Sequence, residues 1–413
     1  MGLFDFTFGK EKYDFDALPN RRGTKSLKWD VGESELPMWV ADMDFAVAPE
    51  IIEALQKRLN ERVLGYSLVD DEWRSAYQGW WLARHDYEIQ KEWLIYANGT
   101  LPAIDSIIRK LTSPAENVLL MSPVYNCFYY CIKNAARVPM ENELAYANGD
   151  YSIDWEDLQA KLADPQTTLF ILCNPHNPVG RTFSRDDLAR IGELCEKHGV
   201  TVLSDEVHCD LTESCVRYTP FAAASKTCER ISASIIAPTK AFNIAGLQSA
   251  AVFAADKRLR HKISKALNSD DIAEPNFFGV QGAIAAFTKG APWLDALREY
   301  LSENRKFATE FIARELPQVH VVPQDATYLM WLDAGAYTQD SAELARFIRE
   351  KTGLYLSCGA QYGKGGEKFL RLNIATSRAL LKDGLGRLKE ALKICPHYTN
   401  CGVARTKFKI YSD

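Results

Sequence analysis

From about residue 93 to 290, short apolar runs alternate with amphipathic stretches, and this pattern restricts the fold more than any other feature. The runs "NVLLMSP", "TTLFILCNP", "VTVLSDE", "RISASIIAP" and "SAAVFAA" are too short for helices and are bounded by turn residues, so they are expected as buried strands. Between two of them lies "SRDDLARIGELCEKHG". There Ser184 and Asp187 form a capping box, Leu188, Ile191, Leu194 and Cys195 share one helical face, and Gly199 is the stop. Such alternation predicts an α/β fold, with a large domain whose mainly parallel sheet is flanked by helices.

A long helical stretch, "APWLDALREYLSENRKFATEFIARELP", precedes a change of pattern. "HVVP", "TYLMWLD", "LYLS" and "FLRLNIA" read as strands, and "SAELARFIREKTG" and "SRALLKDGLGRLKEALKIC" as helices, which predicts a smaller α/β domain. The expected division has an N-terminal segment, 1–50, joining the small domain, a large domain over 51–290, the small domain over 291–393 and a peripheral tail over 394–413.

Composition narrows the class of function. The 413 residues are 47% hydrophobic and 25% charged, with a formal net charge of −5 and Lys and Arg spread along the chain. The basic footprint of a general nucleic-acid binder is missing, so an anionic small molecule must be caught by local groups. The ten cysteines lack metal-ligand spacing and are expected as reduced thiols, with no metal. The N-terminal "MGLFDFTFGKEKYDF" carries acidic residues where a signal peptide needs an apolar core, and no apolar run reaches membrane-spanning length. A cytoplasmic protein without membrane contact is expected.

Ligands of such sheets bind beyond the carboxyl ends of the strands, and the unusual residues fall there. In "IIAPTKAFNIAGLQSA" a strand ends and delivers Lys240; this is either a solvated surface lysine or an amine in a dry pocket, able to form a Schiff base with pyridoxal phosphate. "SDEVHCD" places Asp205 at a strand end, either in a solvated turn or facing a pyridine nitrogen, with His208 in reach of the ring's phenolate oxygen. In "CNPHNPVGR", Asn177 is a turn residue whose amide is also a rigid donor. "YANGTLPAI" opens a helix, where the amides of Gly99, Thr100 and Leu101 suit a phosphate. Tyr125 in "MSPVYNCFYY" is a packing aromatic or a stacking platform, and Arg371 in "FLRLNIAT" is a guanidinium in an apolar strand that calls for a carboxylate partner.

The order of these pieces resembles fold-type I pyridoxal-phosphate enzymes of the aminotransferase class I/II superfamily, over residues from about 20 to 393. Within it "RRGTKSLKWD", "PMWVADMDF", "GYSLVDD", "DEVHCDL", "KAFNIAGL" and "TYLMWLD" resemble the MalY/PatB branch, the cystathionine β-lyases or C-S lyases. The resemblance implies Lys240 as the Schiff-base lysine, Asp205 as the pyridinium partner, Tyr125 as the stacking ring, and Asn177 and His208 near the phenolate. It implies Gly99, Thr100, Leu101 and Thr239 at the phosphate, and Arg371, with Trp39 and Asn177, at an amino-acid substrate. It also implies a homodimer in which Tyr66 crosses to the neighbour's cofactor phosphate. Two positions depart from the wider superfamily. His208 stands where aminotransferases commonly carry tyrosine, which agrees with the lyase branch, and Gln248 stands where they carry arginine, which leaves its contribution at the phosphate open.

The expected reaction is β-elimination from a sulfur-containing amino acid, giving a thiol, pyruvate and ammonia. Two rivals stand beside it: a transaminase on the same fold, and a cofactor-binding regulator acting through protein contacts.

Overall fold

The computed structural model describes residues 13–395. The expectations for residues 1–12 and, in the tail, for 396–413 lie outside the described residues.

Seven strands form one mixed sheet in the order Leu94–Ala97, Ala250–Phe253, Ser232–Ile236, Thr201–Asp205, Thr167–Cys173, Asn117–Ser122 and Val138–Glu143. All neighbours run parallel except at Ala250–Phe253, which is antiparallel to both strands beside it. Side chains alternate across the sheet and both faces are covered. Leu120, Ile171, Leu203 and Ile235 pack on one side, and Leu119, Phe170 and Val202 on the other. That double burial is why these runs read as continuous apolar segments rather than as alternating ones. The expected strand ends appear as read, while Val138–Glu143 adds an edge strand that carries Pro139, a residue that edges tolerate because no ladder donor is needed there.

Helices connect the strands. Arg185–His198 begins where Ser184 Oγ accepts the Asp187 N–H at 3.0 Å, and it ends at Gly199 with φ +70°. The long helix Ala291–Glu315 leads into a four-stranded antiparallel sheet ordered His320–Val321, Leu329–Asp333, Phe369–Asn373, Ser357–Cys358. The helices Ser341–Thr352 and Arg378–Ile394 flank it.

One reading is corrected here. "LYLS" is not one strand: Leu354–Tyr355 pairs in parallel with Leu36–Pro37, whereas Ser357–Cys358 pairs with Phe369–Asn373. The chain passes from one ladder to the other at the buried Leu356. This crossing carries the N-terminal segment alongside the strand of Arg371, where the Asn373 amide donates to the carbonyls of Val40 and Asp42 at 2.7 and 2.8 Å.

Candidate active site

Because parallel strands lie about 4.8 Å apart, the residues that follow their carboxyl ends become neighbours. Tyr125 follows the strand ending at Ser122, Asn177 the one ending at Cys173 and Lys240 the one ending at Ile236, while Asp205 closes its own strand. With Gly99, Thr100, Leu101, His208, Thr239 and Gln248 they line one cavity of about 220 Å³. The strand order reverses beside this cavity, since the 117–122 strand has later strands on both sides, 138–143 on one and 167–173 on the other.

Lys240 reaches into this cavity, and its Nζ donates to the Ala41 carbonyl at 2.8 Å. Loss of hydration lowers its pKa below the ordinary lysine value; the Arg371 guanidinium adds to the shift, and Asp42 and Asp205 oppose it. A lysine so placed reaches its neutral, nucleophilic form nearer neutral pH.

Asp205 is buried, and among the described residues its side chain accepts one hydrogen bond, from the Val207 N–H at 3.2 Å. Burial pushes its carboxyl up to about 7, with the Val207 N–H and Lys240 pulling the other way. A carboxylate held there is matched by a cationic N–H ligand. His208 is buried with its Nδ1 unpartnered, and burial, then Lys240 and Arg371, holds it down to about 3, so its imidazole is neutral.

Arg371 does not line the cavity but touches its wall. Nη1 donates to Asn177 Oδ1 at 3.0 Å, Nη2 donates to the Trp39 carbonyl at 2.9 Å, and Cζ lies 4.8 Å from the centre of the Tyr362 ring. Its Nε is buried without a partner. A buried guanidinium that contacts only neutral acceptors and a ring suits a carboxylate ligand. Trp39 reaches Arg371 through its backbone oxygen, while its own ring stacks on Tyr355 at 5.0 Å.

Gly99 adopts φ +104° and ψ 160°, a region essentially closed to residues with a Cβ. It precedes the helix Thr100–Leu111 and offers no side-chain cap, so the first-turn amides of Thr100 and Leu101 are free to donate into the cavity. Tyr125 presents its ring to the cavity, and burial, with the Cys127 thiol next, raises its phenol above the usual range. Gln248 sits in the wall with φ +47°. Tyr66 is 99% exposed and stays apart from this cavity within its own chain.

Sequence reasoning missed the groups that act through backbone or from beneath. The Ala41 carbonyl has no side-chain signal. Tyr362 lies under Arg371 from a glycine-rich turn. Asn243, held at φ +56°, bonds the backbone of Met43 and Phe45 and so fastens the chain around Ala41; its place in "KAFNIAGL" was the available clue. Away from the cavity, His85, Cys209 and Asp210 cluster within 4.8 Å of one another, but Asp210 Oδ1 is engaged by Trp80 Nε1 and by His85 Nε2, each at 3.0 Å.

Pyridoxal phosphate fits the donor set: a buried carboxylate for a protonated ring nitrogen, an amide and an imidazole for a phenolic oxygen, a helix start for a phosphate and an amine for the aldehyde. The comparisons agree. Cystathionine beta-lyase PatB of Bacillus subtilis (strain 168) is 44% identical over 385 residues, covering 92% of this chain and 100% of PatB. Protein MalY of Escherichia coli (strain K12) is 32% identical over 389 residues, covering 92% of this chain and 99% of MalY. The crystal structure of cystalysin from Treponema denticola, which contains pyridoxal 5'-phosphate, superposes with a TM-score of 0.89 at 31% identity, covering 92% of this chain and 99% of that one. The profile described as aminotransferase class I and II matches residues 36–388, and the chain belongs to that family.

Proposed function

We propose that this chain is a pyridoxal-phosphate-dependent carbon–sulfur β-lyase acting on cystathionine or related S-substituted cysteines. The observation that carries the reading is the Lys240 amine and the Arg371 guanidinium bound to neighbouring carbonyls of one segment, those of Ala41 and Trp39. A base and a carboxylate anchor are thereby set beside a common cavity. The 44% identity to a protein named cystathionine beta-lyase supports the choice of reaction.

When bound, the cofactor supplies an electron sink for the carbanion. Asp205 would hold a proton on its ring nitrogen, Asn177 and His208 would meet its phenolic oxygen, and Tyr125 would lie against its ring. Gly99, Thr100, Leu101 and Thr239 would hold its phosphate. Arg371, with Asn177 and the Trp39 carbonyl behind it, fixes the substrate carboxylate and so orients the Cα–H bond toward Lys240. Lys240 Nζ takes that proton as general base, and the thiolate departs from Cβ. With one water, cystathionine then yields homocysteine, pyruvate and ammonia.

The same proposal includes a homodimer. Val63, Leu64, Tyr66 and Leu68 are 69%, 66%, 99% and 83% exposed, a contiguous apolar stretch that a second copy would cover, bringing its cofactor phosphate to Tyr66. A cytoplasmic location belongs to this reading too, in keeping with nine free cysteines among the described residues.

The test is turnover of cystathionine by the loaded enzyme with no keto acid present. Catalytic release of pyruvate and a thiol is expected. A requirement for a keto-acid acceptor, with a new amino acid as product, would assign the chain to transamination instead.

A further inference from the structure

The motif "RRGTKSLKWD" takes no part in the chemistry above, yet it builds a charge cluster bonded on many sides to residues 42–44. Lys28 and Asp44 are 1% and 2% exposed, and Lys28 Nζ donates to Asp44 Oδ2 at 2.9 Å and to the Asp42 carbonyl at 3.0 Å. Trp29 Nε1 donates to Asp44 Oδ1 at 2.8 Å. Arg21 reaches the Met43 carbonyl at 2.7 Å, Asp44 Oδ1 at 3.3 Å and Asp42 Oδ2 at 2.6 Å. Burying such a pair is costly, and truncating one partner alone costs several kcal/mol more, so its place calls for an explanation beyond stability.

The cluster fixes a segment whose carbonyls are nearly all in use. Trp39 accepts from Arg371 and Ser357, Val40 from Asn373, Ala41 from Lys240, Asp42 from Lys28 and Asn373, Met43 from Arg21 and Asn243, and Phe45 from Asn243. Ala41 is the member that meets the amine, and its neighbours on both sides are tied down. We infer that Arg21, Lys28 and Asp44 are positioning residues for the Lys240 amine, acting through the backbone of residues 39–45. The inference rests on the reading of Lys240 as the base. In that role the Ala41 oxygen receives the amine when the amine is free of the cofactor and so limits where Nζ can stand.

A carbonyl fixed at hydrogen-bond distance favours the ammonium form, because a charged donor gains more from it. The other groups facing the amine are Arg371, Asp205, Asp42, His208 and Cys127. Asp42 is also paired with Arg21 at 2.6 Å, so Lys28→Met, which leaves that pair in place, is the variant whose Lys240 titration reports on the segment.

The experiment compares Lys28→Met, Arg21→Gln and the double variant Lys28→Met/Asp44→Asn with the wild type. The Arg21 side chain is 21% exposed, so its variant tolerates the change even where Lys28→Met folds poorly. Competitive labelling of the apo-protein with acetic anhydride, followed by peptide mass spectrometry, gives the pKa of Lys240 without turnover. The expected result is a lower Lys240 pKa in Lys28→Met and in the double variant, while Arg21→Gln, which also frees Asp42, is read by its kcat. In the loaded enzyme kcat falls about tenfold or more, KM for cystathionine changes less, and the acid limb of the pH profile moves to lower pH. The double variant recovers melting temperature relative to Lys28→Met, since no buried charge is left unpaired, but it does not recover kcat. Recovery of kcat together with melting temperature, or variants that lose only melting temperature, would overturn the inference. Borohydride mapping separates the two levels: cofactor fixed to another lysine defeats the functional reading and this inference with it. Cofactor on Lys240, with its pKa and kcat unmoved in the variants, defeats this inference alone.

Discussion

At the scale of single residues, Arg371 was legible from its own chemistry, because a guanidinium in an apolar strand is costly unless something meets it. Asp205 and Lys240 each kept a solvated alternative, and the family resemblance, not their local pattern, singled them out. Groups that contribute a backbone oxygen, such as Ala41 and Trp39, carry no such mark; they are found only when the chain is folded. Asp205 also gives a prediction in which stability and function part. Its carboxyl is held up to about 7 in the fold, above the ordinary aspartate value of 3.8. The stabilisation associated with the protonated form is therefore fully present below about pH 4 and lost as pH rises through 7. Asp205→Asn should stabilise the apo-protein at pH 8, by up to about 4 kcal/mol, and have little effect at pH 4. The same change should lower turnover of the loaded enzyme by about a hundredfold or more, because the ring nitrogen loses its charge partner. Urea unfolding of apo-protein at the two pH values, beside steady-state rates, checks both halves. A variant as unstable as wild type at pH 8, or as active, would contradict them.

At the scale of elements, apolar runs bounded by turn residues gave the strands of the large sheet because burial on both faces leaves no polar alternation to confuse with a helix. The helix Arg185–His198 was legible at both ends, since its capping serine and its left-handed glycine each have a local physical cause. What local pattern does not specify is which strand pairs with which. The division of "LYLS" between two ladders depends on residues 36–37 arriving from more than three hundred positions away. The reversed direction of Ala250–Phe253 also leaves no trace in its composition, yet that reversal brings Gln248 to the same edge as Lys240. Gly99 stands at a helix start, and its φ of +104° explains why a glycine is needed there, because a Cβ is excluded where the amides must turn toward the cavity.

At the scale of the whole molecule, the proposal of sites completed between two copies rests on the exposed apolar residues around Tyr66 and on the absence of Tyr66 from the lining of its own cavity. Mixing subunits tests this. Lys240→Ala chains would lack the proposed base, and Tyr66→Ala chains the contact proposed across the interface. Random re-association in equal amounts makes half the dimers mixed, each with one intact site, so about a quarter of all sites should regain activity. No recovery, once exchange is demonstrated with tagged subunits and each parent is shown to be inactive, would place Tyr66 at its own chain's site. The geometry of the fold, from the converging strand ends to the segment 39–45, has its focus at one amine. The most direct test is therefore borohydride reduction of the yellow, loaded protein, followed by peptide mapping of the trapped cofactor. The account predicts a single modified lysine, Lys240, and no trapping in Lys240→Ala; cofactor fixed to any other lysine of the wild-type protein would contradict it.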